Sequence, residues 1–327
     1  MKAAVHNRYG PPAVVRIAEV DTPSIGDHDV LVKVHATTVN RTDCAYRAAR
    51  PFFVRVLTGL VRPRRTVLGT EYAGVVEAVG SDVTSFTVGD RVFGYNEGAF
   101  GTHAEYLAVP QDGPVATIPK GVTFEEVAPG PEGSHYALAF IRKADVRAGQ
   151  DVLVYGATGA IGSAAVQLLK HFGAAVTAVC GTAHVELAKG LGADRVVDHT
   201  AQDFTMDEQR YDAVFDAVGK STFTRCGRLL KPGGIYLSSE LGPWCQNLLL
   251  PFVTPLLRGR KVKFPFPKQD QEMMRFLGDL IEAGEFRPLI DRRYPLEEIV
   301  DAYRYVETGQ KTGNVVITVV NTGVPEK

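Results

Sequence analysis

The sequence has no surplus of either charge: 36 Lys and Arg stand against 37 Asp and Glu, for a formal net charge of -1. That balance excludes nucleic acid or acidic lipid as the main partner, because such binding needs a basic excess. It has no long apolar run. The longest, residues 248–257, is broken by Pro251 and Pro255 and falls far short of the ~20 residues that cross a bilayer. The first residues, MKAAVHNRYGPP, meet His, Asn and Arg too early for an apolar signal core, so the expectation is a cytoplasmic protein. There is no CxxC pair. Cys44, Cys180, Cys226 and Cys245 are scattered, which reads as reduced thiols in that compartment. Neither a Ser/His/Asp set nor a pair of carboxylates stands out, and no repeat or low-complexity segment is visible. What is present is ordinary for a globular chain: 327 residues, 45% hydrophobic and 22% charged, with 33 glycines and 9% aromatics. The length suggests about two domains, and the composition rules out wholesale disorder and collagen-like repeats.

Two textures alternate. Up to about residue 122, short β-rich runs (30–34, 74–79, 91–93) are separated by Gly, Pro and Asp. The middle reads strand–helix–strand: a buried strand at 151–155, then a helix over 160–172 with Ile161, Ala165, Leu168, Leu169 and Phe172 at helical spacing. A strand at 175–179 and a helix at 184–191 follow, with further strands at 195–197, 213–215 and 235–237. Such alternation implies a parallel sheet covered by helices. The tail returns to a mixed texture, with helices over 271–283 and 296–307 and a closing strand at 315–319.

The strongest local signal follows the 151–155 strand: Gly156-Ala157-Thr158-Gly159-Ala160-Ile161-Gly162. A dinucleotide fingerprint needs a small residue for the tight turn, a glycine where backbone meets pyrophosphate, and another where helix packs on strand. Ala157, Gly159 and Gly162 fill these roles, with the pyrophosphate at the N-terminus of the following helix, where free N–H groups and the helix dipole favour an anion. After the second strand an acid would bind the ribose 2′-OH of NAD and repel the 2′-phosphate of NADP. The sequence there is Cys180-Gly181-Thr182-Ala183-His184, without an acid. Gly181 permits close approach, and Thr182 and His184 can donate hydrogen bonds, which favours NADP (NADPH). The loop carries no Lys or Arg, so a plain turn that binds both cofactors weakly stays open.

At these residues the chain resembles the medium-chain dehydrogenase/reductase superfamily, and within it the zinc-lacking NADPH:quinone oxidoreductase branch. The matching pieces begin with Met1-Lys2-Ala3-Ala4, Tyr9-Gly10-Pro11-Pro12, Val39-Asn40-Arg41-Thr42-Asp43 and Leu68-Gly69-Thr70-Glu71. They continue through Val88-Gly89-Asp90-Arg91-Val92-Phe93-Gly94, the phosphate turn, Phe215-Asp216-Ala217-Val218-Gly219, Leu230-Lys231-Pro232-Gly233-Gly234 and Gly313-Asn314-Val315-Val316. The resemblance implies an α/β protein: a GroES-like β-rich catalytic domain over 1–122 and 269–327, a Rossmann dinucleotide-binding domain over 123–268, and an active-site cleft between them. It adds Val218 and Gly219 to the cofactor-binding residues.

Relatives with catalytic zinc carry Cys where Asn40 stands and His where Thr70 stands. Amide and hydroxyl are poor zinc ligands, so no metal is expected. Without a Lewis acid, alcohol oxidation is disfavoured. Hydride transfer to a quinone or to the β-carbon of an α,β-unsaturated carbonyl needs only orientation and donors for the developing enolate oxygen. The candidate catalytic residues are Asn40, Tyr46 and Thr70, with Tyr136 a further possibility. Asn40 fills a position that faces the nicotinamide in the family, or is a loop-stabilising amide. Tyr46 orients substrate, relays a proton or merely packs, since many relatives carry their tyrosine one position earlier, at Ala45. The alternatives to quinone or enone reduction are an alcohol or carbonyl dehydrogenase of the same superfamily, or a weakly catalytic NADP-binding protein. Arg47, Arg50, Arg55, Arg62, Arg64 and Arg65 crowd an acid-free stretch with Phe52, Phe53, Val54, Val56, Leu57, Leu60 and Val61, read as a solvated amphipathic helix or a lid. Finally, Lys261-Val262-Lys263-Phe264 should be the edge strand of the Rossmann sheet, and an unprotected apolar edge invites pairing. Relatives join such edges across a twofold axis, so a homodimer is expected.

Overall fold

The computed structural model describes residues 1–52, 54–257 and 259–320. Phe53, residues 321–327 of the expected tail and the side chains of Leu57 and Leu257 lie outside the described residues. Among the described residues, fifteen strands follow in chain order. They are β1 (Lys2–Val5), β2 (Arg16–Glu19), β3 (Asp29–Val39), β4 (Glu71–Val79), β5 (Arg91–Tyr95), β6 (Tyr106–Pro110), β7 (Val115–Thr117) and β8 (Asp151–Tyr155). The rest are β9 (Ala175–Cys180), β10 (Arg195–Asp198), β11 (Tyr211–Asp216), β12 (Leu230–Ser238), β13 (Lys261–Val262), β14 (Ile290–Pro295) and β15 (Asn314–Thr318). The chain divides into two compact units, Met1–Glu132 together with the chain from Gln269 on, and Gly133–Lys268. The first crossing therefore falls after Glu132, not at 122. Residues 123–132 pack on the first unit: Phe124 stacks on His35 at 4.4 Å and lies under the Arg91 guanidinium at 4.5 Å.

In the first unit the sheet order is β14-β15-β3-β4-β5-β7, with β6 also on β3. The long strand β3 alternates Val30, Val32 and Val34, fully buried, with partly exposed neighbours, the pattern of a sheet with one face on a core. That core joins Val30, Val32, Val34, Tyr72, Val76, Val92 and Val115. A second cluster packs Ile299, Tyr303 and Val306 of the Ile299–Glu307 helix on Val39, Val315 and Ile317. Two arginines of the expected amphipathic helix are held by protein neighbours. Arg47 is fully buried, donates to the Gly10 carbonyl at 2.7 Å, pairs with Glu307 and covers the Tyr303 ring. Arg55 lies over the Tyr9 ring at 5.0 Å. The helix there is short, Val54–Thr58, and Arg50, Arg62, Arg64 and Arg65 are exposed.

The second unit holds a six-stranded sheet in the order β10-β9-β8-β11-β12-β13, parallel throughout. Its central strands are continuous apolar runs, as parallel strands buried on both faces require: Val152, Leu153, Val154, Val214 and Phe215 have no exposure. The order reverses between β8 and β11. In such sheets ligands bind outside the carboxyl ends of the strands at this switch point. Among the described residues, no helix is long and apolar enough to cross a membrane.

Candidate functional site

In the second unit the phosphate turn divides its work among three glycines. Gly156 follows β8 with φ +80°, and a Cβ there would meet Val218 Cγ1 at 2.4 Å. The tight-turn role given above to Ala157 thus belongs to Gly156, the residue that takes positive φ. Ala157 is instead fully buried, and its N–H and that of Gly156 both donate to the Val179 carbonyl at 3.1 Å. At Gly162 a Cβ would lie 2.0 Å from the Gly156 carbonyl oxygen, so helix and turn touch. Gly159 differs: its φ is -77° and the nearest atom to an added Cβ is 3.6 Å away. No protein atom requires glycine at that position. Gly159 caps the Ala160–His171 helix without a side-chain bond, so the first-turn amides at Ala160 and Ile161 lack an intrahelical acceptor. Bare amides at an open helix N-terminus are the donor set for a pyrophosphate, and Thr158 borders it, nearly buried. Val218 and Gly219 follow β11, and both of their N–H groups donate to Asp216 Oδ1. The residues present fit a dinucleotide.

The turn after β9 is bonded to a residue that the sequence reading missed, Asp198. Thr182 Oγ1 donates to Asp198 Oδ2 at 2.6 Å and lies 2.6 Å from Thr200 Oγ1. Asp198 ends β10, paired with Cys180 of β9. The acid absent after β9 is therefore supplied by the neighbouring strand. The signal was the adjacency of second and third strands in a parallel sheet. Gly181 and His184 sit in the same turn, His184 N donating to the Gly181 carbonyl at 2.9 Å.

In the first unit, Asn40 caps the Arg41–Ala48 helix. Its Oδ1 accepts from Asp43 N at 2.9 Å while Asp43 Oδ2 accepts from Asn40 N at 3.1 Å, a reciprocal capping box. Asn40 Nδ2 donates to Thr70 Oγ1 at 2.7 Å. Asn40 is 4% exposed and Thr70 not at all. The amide is spent on its neighbours, so Asn40 and Thr70 brace one another.

Beneath them lies a cluster of acids. Asp43 Oδ1 accepts from Gly69 N at 3.0 Å. Glu71 accepts from Thr38 Oγ1 at 2.5 Å and Glu132 N at 2.7 Å. Glu132 Oε1 accepts from Thr42 at 2.7 Å, while Oε2 has no partner among the described residues. Burial pushes the Asp43 carboxyl up to about 8 and raises Glu71 and Glu132 as well. Burial lowers Lys311 against the pull of Glu132 and Glu71. His103, 3.8 Å from Asp43, is pushed down to about 4 by burial, so that contact joins neutral groups.

Tyr46, on the same helix, is half-buried with its ring 4.6 Å from Phe100. Its hydroxyl makes no hydrogen bond among the described residues. Burial, then the charge of Glu97, raises its pKa, so the phenol keeps its proton. Glu97, a second missed residue, accepts from Tyr95 and from Gln269 Nε2 at 2.8 Å. Tyr136 lies in the second unit, edge-on to His135 at 5.2 Å. Among the described residues, no group of three His, Cys, Asp or Glu could hold a metal ion.

A Rossmann sheet with an open phosphate turn, joined to a β-rich unit with a half-buried tyrosine, defines a nicotinamide-dinucleotide oxidoreductase. Residues 26–120 match the alcohol dehydrogenase GroES-like domain and residues 191–317 the zinc-binding dehydrogenase family. Over 330 residues the chain is 34% identical to a 2-methylene-furan-3-one reductase of Solanum lycopersicum, covering 97% of this chain and 79% of that one. It is 32% identical, at the same coverage, to a chloroplastic NADPH-dependent alkenal/one oxidoreductase of Arabidopsis thaliana. Its fold superposes on the quinone oxidoreductase from Coxiella burnetii with a TM-score of 0.88 at 27% identity, covering 98% of this chain and 99% of that one. The chain belongs to the medium-chain dehydrogenase/reductase superfamily of oxidoreductases.

Proposed function

We propose that the protein reduces quinones or α,β-unsaturated carbonyls by hydride transfer from NADPH, without zinc. The observation that carries this reading is the Asn40–Thr70 pair. At the positions of a thiolate and an imidazole in zinc-using relatives stand an amide and a hydroxyl, bonded to each other at 2.7 Å. Neither is a ligand of the kind zinc takes, so the substrate must carry its own polarisation, as a quinone or enone does. The names of the two plant relatives support that substrate class.

When bound, the nicotinamide supplies a hydride. Gly156–Gly162 would hold the pyrophosphate at the helix N-terminus, with Gly181, Thr182 and His184 near the adenosine ribose and Val218 and Gly219 along the strand ends. Tyr46 presents a neutral phenol as donor to the carbonyl oxygen, where negative charge collects as the double bond is reduced. Asn40 and Thr70 position the Tyr46 helix through its N-cap. In this reading Met1–Glu132 and the tail form the substrate domain, and Gly133–Lys268 the dinucleotide domain. Four free cysteines support a reducing, cytoplasmic setting. A panel of enones, quinones and alcohols, assayed with NADPH and NADH, tests the reading. Turnover of enones or quinones is expected; turnover of alcohols or simple aldehydes alone would replace it with a carbonyl dehydrogenase.

A further inference from the structure

Three short contacts tie together Thr182, Asp198 and Thr200. Thr182 Oγ1 lies 2.6 Å from Asp198 Oδ2 and 2.6 Å from Thr200 Oγ1, and Thr200 Oγ1 lies 2.6 Å from Asp198 Oδ1. Thr200 N adds a bond to Asp198 Oδ1 at 2.9 Å. Two hydroxyl protons serve these three oxygen–oxygen contacts. The Asp198 carboxyl contributes no proton, because the Thr182 and Thr200 bonds hold it down at about 2. Every hydroxyl proton in the cluster is therefore directed inward, and only lone pairs face solvent.

The place matters as much as the chemistry. In a doubly wound sheet, the residue just past the second strand meets the adenosine ribose, and Thr182 stands there. A lone-pair surface accepts a bond from a ribose 2′-hydroxyl. It repels a 2′-phosphate, which has only acceptors and negative charge to offer. Arg225 lines a cavity of about 350 Å³ together with Tyr155, His199 and Thr200. Its guanidinium lies 3.8 Å from Asp203 Oδ1, so part of its charge is already matched.

We propose that Asp198, by taking the protons of Thr182 and Thr200, sets the choice between the two dinucleotides and keeps selectivity for NADPH low. The inference rests on the dinucleotide reading above and goes beyond it in naming the discriminating residue. It reverses the role expected of Thr182 from sequence: the hydroxyl is not a free donor for phosphate.

The test is equilibrium binding of NADPH and NADH, each alone, to the full-length protein, followed by fluorescence or calorimetry. Wild type should bind both with dissociation constants of the same order. Asp198→Asn, which removes the charge at constant shape, should tighten NADPH by about tenfold while leaving NADH within about threefold. Thr182→Val, which removes the hydroxyl and keeps the carboxylate, should leave the ratio of the two constants unchanged. Retained NADH binding certifies that each variant is folded, and Asp198→Ser replaces Asp198→Asn if the latter does not fold. An unchanged ratio in Asp198→Asn, or selective loss of NADPH in Thr182→Val, would overturn the proposal. Failure of the wild type to bind either nucleotide would instead remove the cofactor reading itself.

Discussion

Asp43 shows how a single buried side chain governs stability. Unfolded, its carboxyl loses its proton near the ordinary value of about 4; folded, burial holds the proton up to about 8. Between these limits the folded state carries a proton that the unfolded chain has lost, so stability falls as pH rises, and that contribution is gone above about pH 8. The buried His6, His103 and His135, pushed down by burial, work in the opposite sense, but only below about pH 6.5, where the unfolded imidazole charges. The melting temperature should therefore decline between about pH 7 and pH 8, and Asp43→Asn should flatten the decline; an unaltered slope in the variant would refute this role. Tyr46→Phe should lower kcat by about 100-fold, the scale of losing one donor to a developing oxyanion, with the melting temperature preserved. A change confined to KM would make Tyr46 a packing residue. The sequence pointed to Asn40 and Thr70 as a pair of positions, but not to their bond, since that contact forms only when the chain entering β4 brings Thr70 to the helix N-cap. Asp198 was invisible for the same reason: its importance comes from the strand beside it.

At the scale of the element, the phosphate turn separates glycines that serve the fold from one that serves the ligand. Gly162→Ala would drive a methyl to 2.0 Å from the Gly156 carbonyl and should cost about 1–3 kcal/mol through overpacking. Gly159→Ala meets nothing closer than 3.6 Å and should cost about 1 kcal/mol or less, the loss of a tolerated N-cap, while weakening dinucleotide binding severely. Chemical denaturation and nucleotide titration of both variants check this. Equal destabilisation with equal binding would contradict it. The strands of the second unit were legible because a parallel sheet buried on both faces must be written as apolar runs: the reading 151–155 coincides with β8. The arginine-rich stretch was not legible. Its alternation of Arg and apolar residues suits a solvated helix, yet Arg47 is drawn inside by Gly10 and Glu307, partners far away in sequence.

For the whole molecule, the assembly proposal needs a different contact from the one the sequence suggested. Strand β13 is the sheet edge, but Val262, expected to need a cover, is 2% exposed and packs inside its own unit with Leu230 and Tyr236. Around it, Leu249, Phe252, Val253, Leu256 and Phe266 are exposed, in and after the Gln246–Val253 helix that packs on β13. We propose that this edge and its helix form a twofold homodimer interface. Light scattering at micromolar concentration should give twice the 35.4 kDa chain mass, and Phe252→Asp should return the monomer; a wild-type monomer would remove the interface. The central claim, hydride delivery to an activated carbon–carbon double bond, is tested most directly by isotope placement. The protein is given an enone and NADPH carrying deuterium at the reactive nicotinamide carbon, and the product is examined by NMR. The account predicts a saturated ketone with deuterium at the carbon β to the carbonyl. Deuterium at the carbonyl carbon of an allylic alcohol would contradict it.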